Sequence, residues 1–178
     1  MIIKKEEPPV IEPKNIFIGN SKAPVTLMEF ADYETTGAIE AHEIVKEILH
    51  SYDGKVKFSF RHFPLVHYHQ RAHKAAEAAI AAAQEGKFIE MHEKLLNNRR
   101  NLGTTTLKSH ARDIGVMNKS FLDDLINGKY GWFVQDDLSE GIRMGVKELP
   151  AFFINGKKLT GEITLENVKK QIEAALKN

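Results

Sequence analysis

The sequence predicts a single α/β chain in which a block of helices interrupts a strand-helix-strand core. Three observations carry that prediction. An apolar run, Val25 to Phe30, is followed by an amphipathic helix pattern and then by an alternating strand pattern at Val56 to Arg61. Helical signals then fill most of the stretch from Arg71 to Met144. Strand signals return at Ala151 with an Asn155-Gly156 hairpin, and an amphipathic helix follows. A length of 178 residues suits one substantial core better than two.

Residues 1–14 hold Pro8, Pro9 and Pro13, which block regular pairing, and read as an extended or disordered arm. Ile16 to Ile18 reads as a short strand closed by Gly19-Asn20. Pro24 introduces Val25-Thr26-Leu27-Met28-Glu29-Phe30, which has the character of a buried strand. The turn Asp32-Tyr33-Glu34-Thr35-Thr36-Gly37-Ala38 comes next, with Thr35 or Thr36 as N-cap. The helix from about Ile39 to Leu49 repeats Ala41, Ile44, Val45, Ile48 and Leu49 on one face. Asp53-Gly54 turns the chain into the second strand, and the unit implies parallel pairing with a right-handed crossover.

In the middle, Arg71 to Gln84 is alanine-rich, suited to close helix packing, and stopped by Gly86. Phe88 to Leu96 carries Phe88, Met91, Leu95 and Leu96 on one face. Thr104-Thr105-Thr106 offers a cap before Leu107 to Ile114. Phe121 to Ile126 and Phe133 to Met144 complete the block. Asn-Gly at 155–156 suits a type I′ turn between Ala151–Ile154 and 157–160, and the final helix starts near Thr164.

Net charge is +1 with acids and bases interspersed, so no strong field points to nucleic acid or anionic lipid. The longest apolar-rich run, Ala75 to Ala83, is too short to span a bilayer. The first residues are rich in Lys, Glu and Pro and lack the apolar stretch of a secretory signal. The expectation is a cytoplasmic protein as the chain stands, or a periplasmic one if a leader was removed. There is no cysteine, which excludes disulfides, thiolate metal sites and thiol catalysis.

The ordered motifs resemble the DsbA-like branch of the thioredoxin superfamily, in which a helical domain interrupts a thioredoxin core. The resemblance runs through Ala23-Pro24-Val25-Thr26, Glu29-Phe30-Ala31-Asp32-Tyr33, His42, Arg61-His62-Phe63-Pro64-Leu65, His69, Ala72, Ala75-Ala76 and Met91-His92. It ends in Gly145-Val146-Lys147-Glu148-Leu149-Pro150-Ala151-Phe152-Phe153-Ile154-Asn155-Gly156. It implies a thioredoxin-like core at 15–68 and 145–178, with an inserted helical subdomain at 69–144. Similar domains also occur fused to Na+/H+ antiporters.

The departure is at the redox turn. Thr35 stands where that family has its attacking cysteine, and Ala38 where it has the resolving one. Disulfide exchange needs a thiolate to attack sulfur and a second thiol to finish; this chain has neither. No catalytic residue is therefore expected, and Thr35, Thr36, Gly37 and Ala38 are degenerate active-site positions.

The resemblance implies a cis Leu149–Pro150 bond facing that turn, with the Leu149 backbone placed to pair with an extended peptide. The expected binding groove has Tyr33, Thr35, Thr36, Gly37 and Ala38 on one wall and Leu149 and Pro150 on the other. Its expected partner is an extended peptide or protein client, with neither nucleic acid nor a membrane involved. Two alternatives stay open. One is an enzyme handling glutathione or another small thiol through Thr35 or Thr36, as kappa-class glutathione transferases use a serine nearby. The other is a structural domain with a vestigial groove, in which the threonines only cap the helix.

Other residues weigh less. Tyr33, Glu34, Glu40 and His42 are conceivable as an acid/base group. His62, His67, His69 and His73 have spacing that can hold a metal, but no cysteine or obvious carboxylate completes a set, so neither metal nor cofactor is expected. Arg99-Arg100 and the lysines of the last helix read as solvated surface.

Overall fold

A computed structural model describes residues 8–178; residues 1–7 of the proline-rich arm lie outside the described residues. The elements run β1 (Ile18–Gly19), β2 (Val25–Ala31), α1 (Ala38–Ser51), β3 (Val56–His62), α2 (Ala72–Ala83), α3 (Phe88–Asn97), α4 (Thr104–Asp113), α5 (Phe121–Ile126), α6 (Gly131–Arg143), β4 (Ala151–Ile154), β5 (Lys157–Lys158) and α7 (Leu165–Leu176). Five strands form one sheet in the order β1-β3-β2-β4-β5. β2 is central, pairing in parallel with β3 from Val25↔Val56 to Ala31↔His62 and antiparallel with β4 from Leu27↔Ile154 to Phe30↔Ala151.

Strand alternation sorts the side chains. Val25, Leu27, Glu29 and Ala31 share one face with Val56, Phe58, Phe60 and His62 of β3. The apolar members of that set pack with Val45 and Ile48 of α1 and Val168 and Ile172 of α7. On the other face, Phe30, Phe63, Ala151 and Phe153 form a smaller cluster with Val146, joined by Leu138 of α6.

α2 is buried nearly all round, because alanines let α3, α4, α5 and α6 all approach it. α6 is pinned to β3 by Arg61, whose Nε donates to Asp137 Oδ1 at 2.6 Å and whose guanidinium also bonds Glu140. The other Asp137 oxygen accepts the His62 N–H at 2.9 Å. Burial pushes the Asp137 carboxyl up to about 6, against the opposing pull of Arg61.

Several expectations change. The short first strand lies at Ile18–Gly19, antiparallel to β3, rather than at 16–18. Pro13 is buried and opens a 3-10 turn, Pro13–Asn15, so this part of the arm is folded. Ile11 is also tied down: its N–H donates to Gln84 Oε1 at 2.8 Å, and its C=O accepts from Gln84 Nε2 at 3.1 Å. Thr104-Thr105-Thr106 form the first turn of α4 behind a Gly103 N-cap, instead of capping it. At the hairpin, Asn155 (φ 47°) and Gly156 (φ 79°) both take the left-handed backbone that a type I′ turn requires. Thr164 caps α7, accepting the Asn167 N–H at 3.2 Å.

At Gly141, α6 lies directly against the rings of Phe63 and Phe30. A Cβ there would lie 2.5 Å from Phe63 Cδ2 and 3.0 Å from Phe30 Cδ1. Alanine would gain about 1 kcal/mol of helix propensity, but overpacking typically costs 1–3 kcal/mol. Contacts this short put the cost at about 2–3 kcal/mol of that range, so Gly141→Ala should lower stability by about 1–2 kcal/mol in urea unfolding. An unchanged or raised midpoint would show that the two phenylalanine rings yield freely.

Candidate functional groove

The turn that follows β2 is organised by one buried carboxylate. Asp32 Oδ1 accepts the Glu34 N–H at 3.1 Å and the Thr35 hydroxyl at 2.7 Å. Asp32 Oδ2 accepts the Leu65 N–H at 3.0 Å, and His69 Nδ1 sits 2.7 Å from the same oxygen. Two donors come from the turn itself and two from the segment after β3, so the carboxylate joins them. Such local bonding is what Asp does ahead of a turn.

This corrects the expected cap. Gly37, with φ 90°, is the N-cap of α1 and provides no side-chain bond, while the Thr35 hydroxyl points back to Asp32. A threonine hydroxyl has one proton to donate, and Thr35 gives it to a carboxylate. Thr36 is exposed and its hydroxyl makes no hydrogen bond among the described residues, so it is the turn hydroxyl available to a ligand.

Turn and proline loop face each other. A Cβ on Gly37 would lie 3.8 Å from Pro150 Cδ. The Leu149–Pro150 peptide bond is cis. Leu149 and Pro150 are half-buried, the β4 ladder begins at Ala151, and no hydrogen bond of the Leu149 N–H or C=O occurs among the described residues. The gathered groove residues are thus Thr36, Gly37, Leu149 and Pro150. Thr35 and Ala38 are buried beneath them. Tyr33 does not line the groove: its side chain is fully buried, and its hydroxyl lies 3.0 Å from His92 Nδ1.

The proposed acid/base group is likewise dispersed. His42 is buried with Nε2 3.3 Å from Glu93 Oε1, and burial lowers its pKa against the pull of Glu93. Of the four clustered histidines, His69 meets Asp32, His73 Nδ1 lies 3.2 Å from Glu77 Oε1, His62 is buried without a side-chain partner and His67 is exposed. No three His, Asp or Glu side chains converge as metal ligands among the described residues.

Under the turn lies a set of buried polar groups with little to bind. Both Glu29 carboxylate oxygens and both His62 ring nitrogens lack hydrogen-bond partners among the described residues, as does His92 Nε2. Burial raises Glu29 to about 8. Burial, with Arg61 and His73 adding to it, lowers His62 to about 3, and burial holds His92 well below the usual range. All three are therefore uncharged near neutrality.

A family model described as Thioredoxin matches residues 12–174. The chain belongs to the thioredoxin family. Among solved structures it is similar to oxidised BdbD from Bacillus subtilis (TM-score 0.84, 23% identity, 94% of each chain). It is also similar to a thioredoxin-like oxidoreductase from Silicibacter pomeroyi DSS-3 (TM-score 0.80, 22% identity, 92% of each chain). Both likenesses concern the fold, here carried without a cysteine. Among curated proteins, the Na(+)/H(+) antiporter NhaA 3 of Salinispora tropica is 32% identical over 157 residues, 88% of this chain and 24% of the antiporter. NhaA 1 of Mycobacterium sp. strain KMS is 30% identical over 168 residues, 93% of this chain and 27% of that protein. The chain thus spans about a quarter of the length of these relatives. Among the described residues, no helix is long and apolar enough to cross a membrane.

Sequence reading missed Asp32 as the organiser of the turn and His69 as its partner. The signal was present as Asp32-x-x-Thr35 directly after an apolar strand, a spacing that favours an Asp-centred turn.

Glu29 yields a pH prediction. Its folded pKa lies above the unfolded value, so the unfolded state binds fewer protons between about 4.5 and 8 and stability falls as pH rises through that window. His62 acts in the opposite sense below about 6.5, its neutral folded form favouring stability as pH rises from about 3. Glu29→Gln should remove only the first effect. Relative to wild type it should be stabilised progressively from pH 5 to pH 8 in urea unfolding. A constant difference across that range would show that Glu29 does not stay protonated in the fold.

Proposed function

We propose that this is a redox-inactive thioredoxin-family domain whose turn and proline loop bind an extended peptide segment of a partner protein. The observation that carries the reading is the unpaired Leu149 backbone beside a turn only 3.8 Å from Pro150 when measured from a Gly37 Cβ. An N–H and C=O at a sheet end, bordered by partly exposed apolar side chains, suit strand addition. That mode needs no sulfur. The backbone donor and acceptor supply affinity, and Leu149 and Pro150 supply apolar contact.

Ion transport belongs to relatives four times longer by name, and the shared quarter contributes no spanning helix among its described residues. A domain of this kind attached to a transporter is consistent with a binding role. For a small-thiol enzyme, the chemistry rests on Thr36, since the Thr35 proton is already given to Asp32.

Titration of a library of extended peptides, followed by amide NMR, tests the reading. A bound peptide should protect the Leu149 amide from exchange, and Thr36→Trp should weaken binding at least tenfold without lowering stability, because Thr36 is exposed. Absence of any peptide binding would leave the groove vestigial. Perturbation by reduced glutathione, centred on Thr36, would favour the small-thiol enzyme.

A further inference from the structure

Beside the turn lies a cavity of about 370 Å³ with an apolar floor, Ile39 of α1 and Leu96 of α3, and walls made by Asn97, Arg99, Arg100 and Asn101. The loop that builds it follows α3 directly. Its contact with the groove is direct: Arg99 Nη1 lies 3.4 Å from the Glu34 carbonyl, within the turn itself. A third arginine joins from the start of α2, where Arg71 Nη1 lies 3.4 Å from the Arg100 carbonyl.

These arginines are uncompensated. Among the described residues no carboxylate lies within ion-pair distance of Arg71, Arg99 or Arg100; Arg71 and Arg99 donate to neutral carbonyls, and the Arg100 side chain makes no hydrogen bond. The C-terminal end of α3 does not consume them either. Asn98 serves that end, its N–H donating to the Leu95 carbonyl at 3.1 Å and its Nδ2 to the Lys94 carbonyl at 2.7 Å. On the turn, Glu34 Oε2 accepts the Arg71 backbone N–H at 3.0 Å. No carboxylate lines the cavity.

We propose that this cavity is a carboxylate subsite continuous with the peptide groove, so that the segment bound there carries an acidic side chain or its own terminal carboxylate next to the residue paired with Leu149. The inference rests on the peptide-binding reading given above. Guanidinium groups match carboxylates through paired N–H donors, and the Nδ2 groups of Asn97 and Asn101, which donate to nothing among the described residues, add neutral donors around them. The apolar floor accepts the methylene stem that carries the charge.

The test uses matched peptides on the full chain, read by fluorescence anisotropy: one with Glu at the position reaching the cavity, one with Gln there, and each with a free or an amidated C-terminus. The expected result is at least tenfold tighter binding of a carboxylate peptide than of its amide twin, weakening with added salt. Replacing Arg99 and Arg100 by Gln should abolish that preference, so that the carboxylate peptide and its amide twin then bind alike. The side-chain and C-terminal arms distinguish the two sources of the carboxylate. Equal binding of acidic and amide peptides would overturn the carboxylate subsite and leave the groove intact. Failure of every peptide to bind would overturn the groove itself, and the subsite with it. Binding of reduced glutathione alone, lost in the same double variant, would overturn the peptide subsite in favour of a small-molecule site.

Discussion

A single buried carboxylate holds the turn before α1 to the segment that leaves β3. Asp32 leaves the end of β2 and collects the Glu34 N–H, the Thr35 hydroxyl, the Leu65 N–H and the His69 ring. Two of these belong to the turn before α1 and two to the chain leaving β3. Because β2 and β3 are parallel neighbours, both segments emerge at the same end of the sheet. Asp32 links them there, and bonds to a charged acceptor are stronger than neutral ones. The geometry of the turn, and hence of its gap to Pro150, is thereby held without any contribution from sulfur. Thr35, at the position where the family's reactive cysteine is expected, has become part of the scaffold.

The chain holds no thiol, and its turn and proline loop nevertheless lie side by side. Gly37, Thr36, Leu149 and Pro150 still meet across a gap, and the arginine-lined cavity opens beside them. Below, Glu29, His62 and His92 remain buried, uncharged and short of partners. Groups of this kind cost stability unless paired, since desolvation of a polar atom is not repaid. They make the region under the groove sensitive to pH even though no thiol titrates there.

Much of the fold was legible in the sequence because it rests on local periodicity. The apolar run of β2, the alternation of β3, the Asn155-Gly156 turn and the alanine character of α2 each point to one outcome. The helix starts were less legible. Thr35, Thr36 and the three threonines at 104–106 all look like caps by residue type, yet glycines take both N-cap positions. At the turn, the Thr35 hydroxyl is directed to the Asp32 carboxylate, and no side chain accepts from the first N–H groups of α1. Tyr33 was misplaced for a related reason: alternation near a strand end does not say whether an aromatic side chain turns toward solvent or back toward His92 on α3. Arg99 was invisible as a groove neighbour, because its approach to Glu34 spans 65 positions and depends on how α3 packs against α1.

The most direct test of the Asp32 claim is amide hydrogen exchange at Glu34 and Leu65 in wild type and in Asp32→Asn. An asparagine keeps one acceptor oxygen and turns an N–H pair toward groups that are themselves donors. If Asp32 is the link, both amides should exchange at least tenfold faster in the variant, while the β2–β3 ladder from Leu27 to Phe60 keeps its protection. Unchanged exchange at Glu34 and Leu65 would mean that the turn is held by packing alone, and that the carboxylate is incidental to the groove.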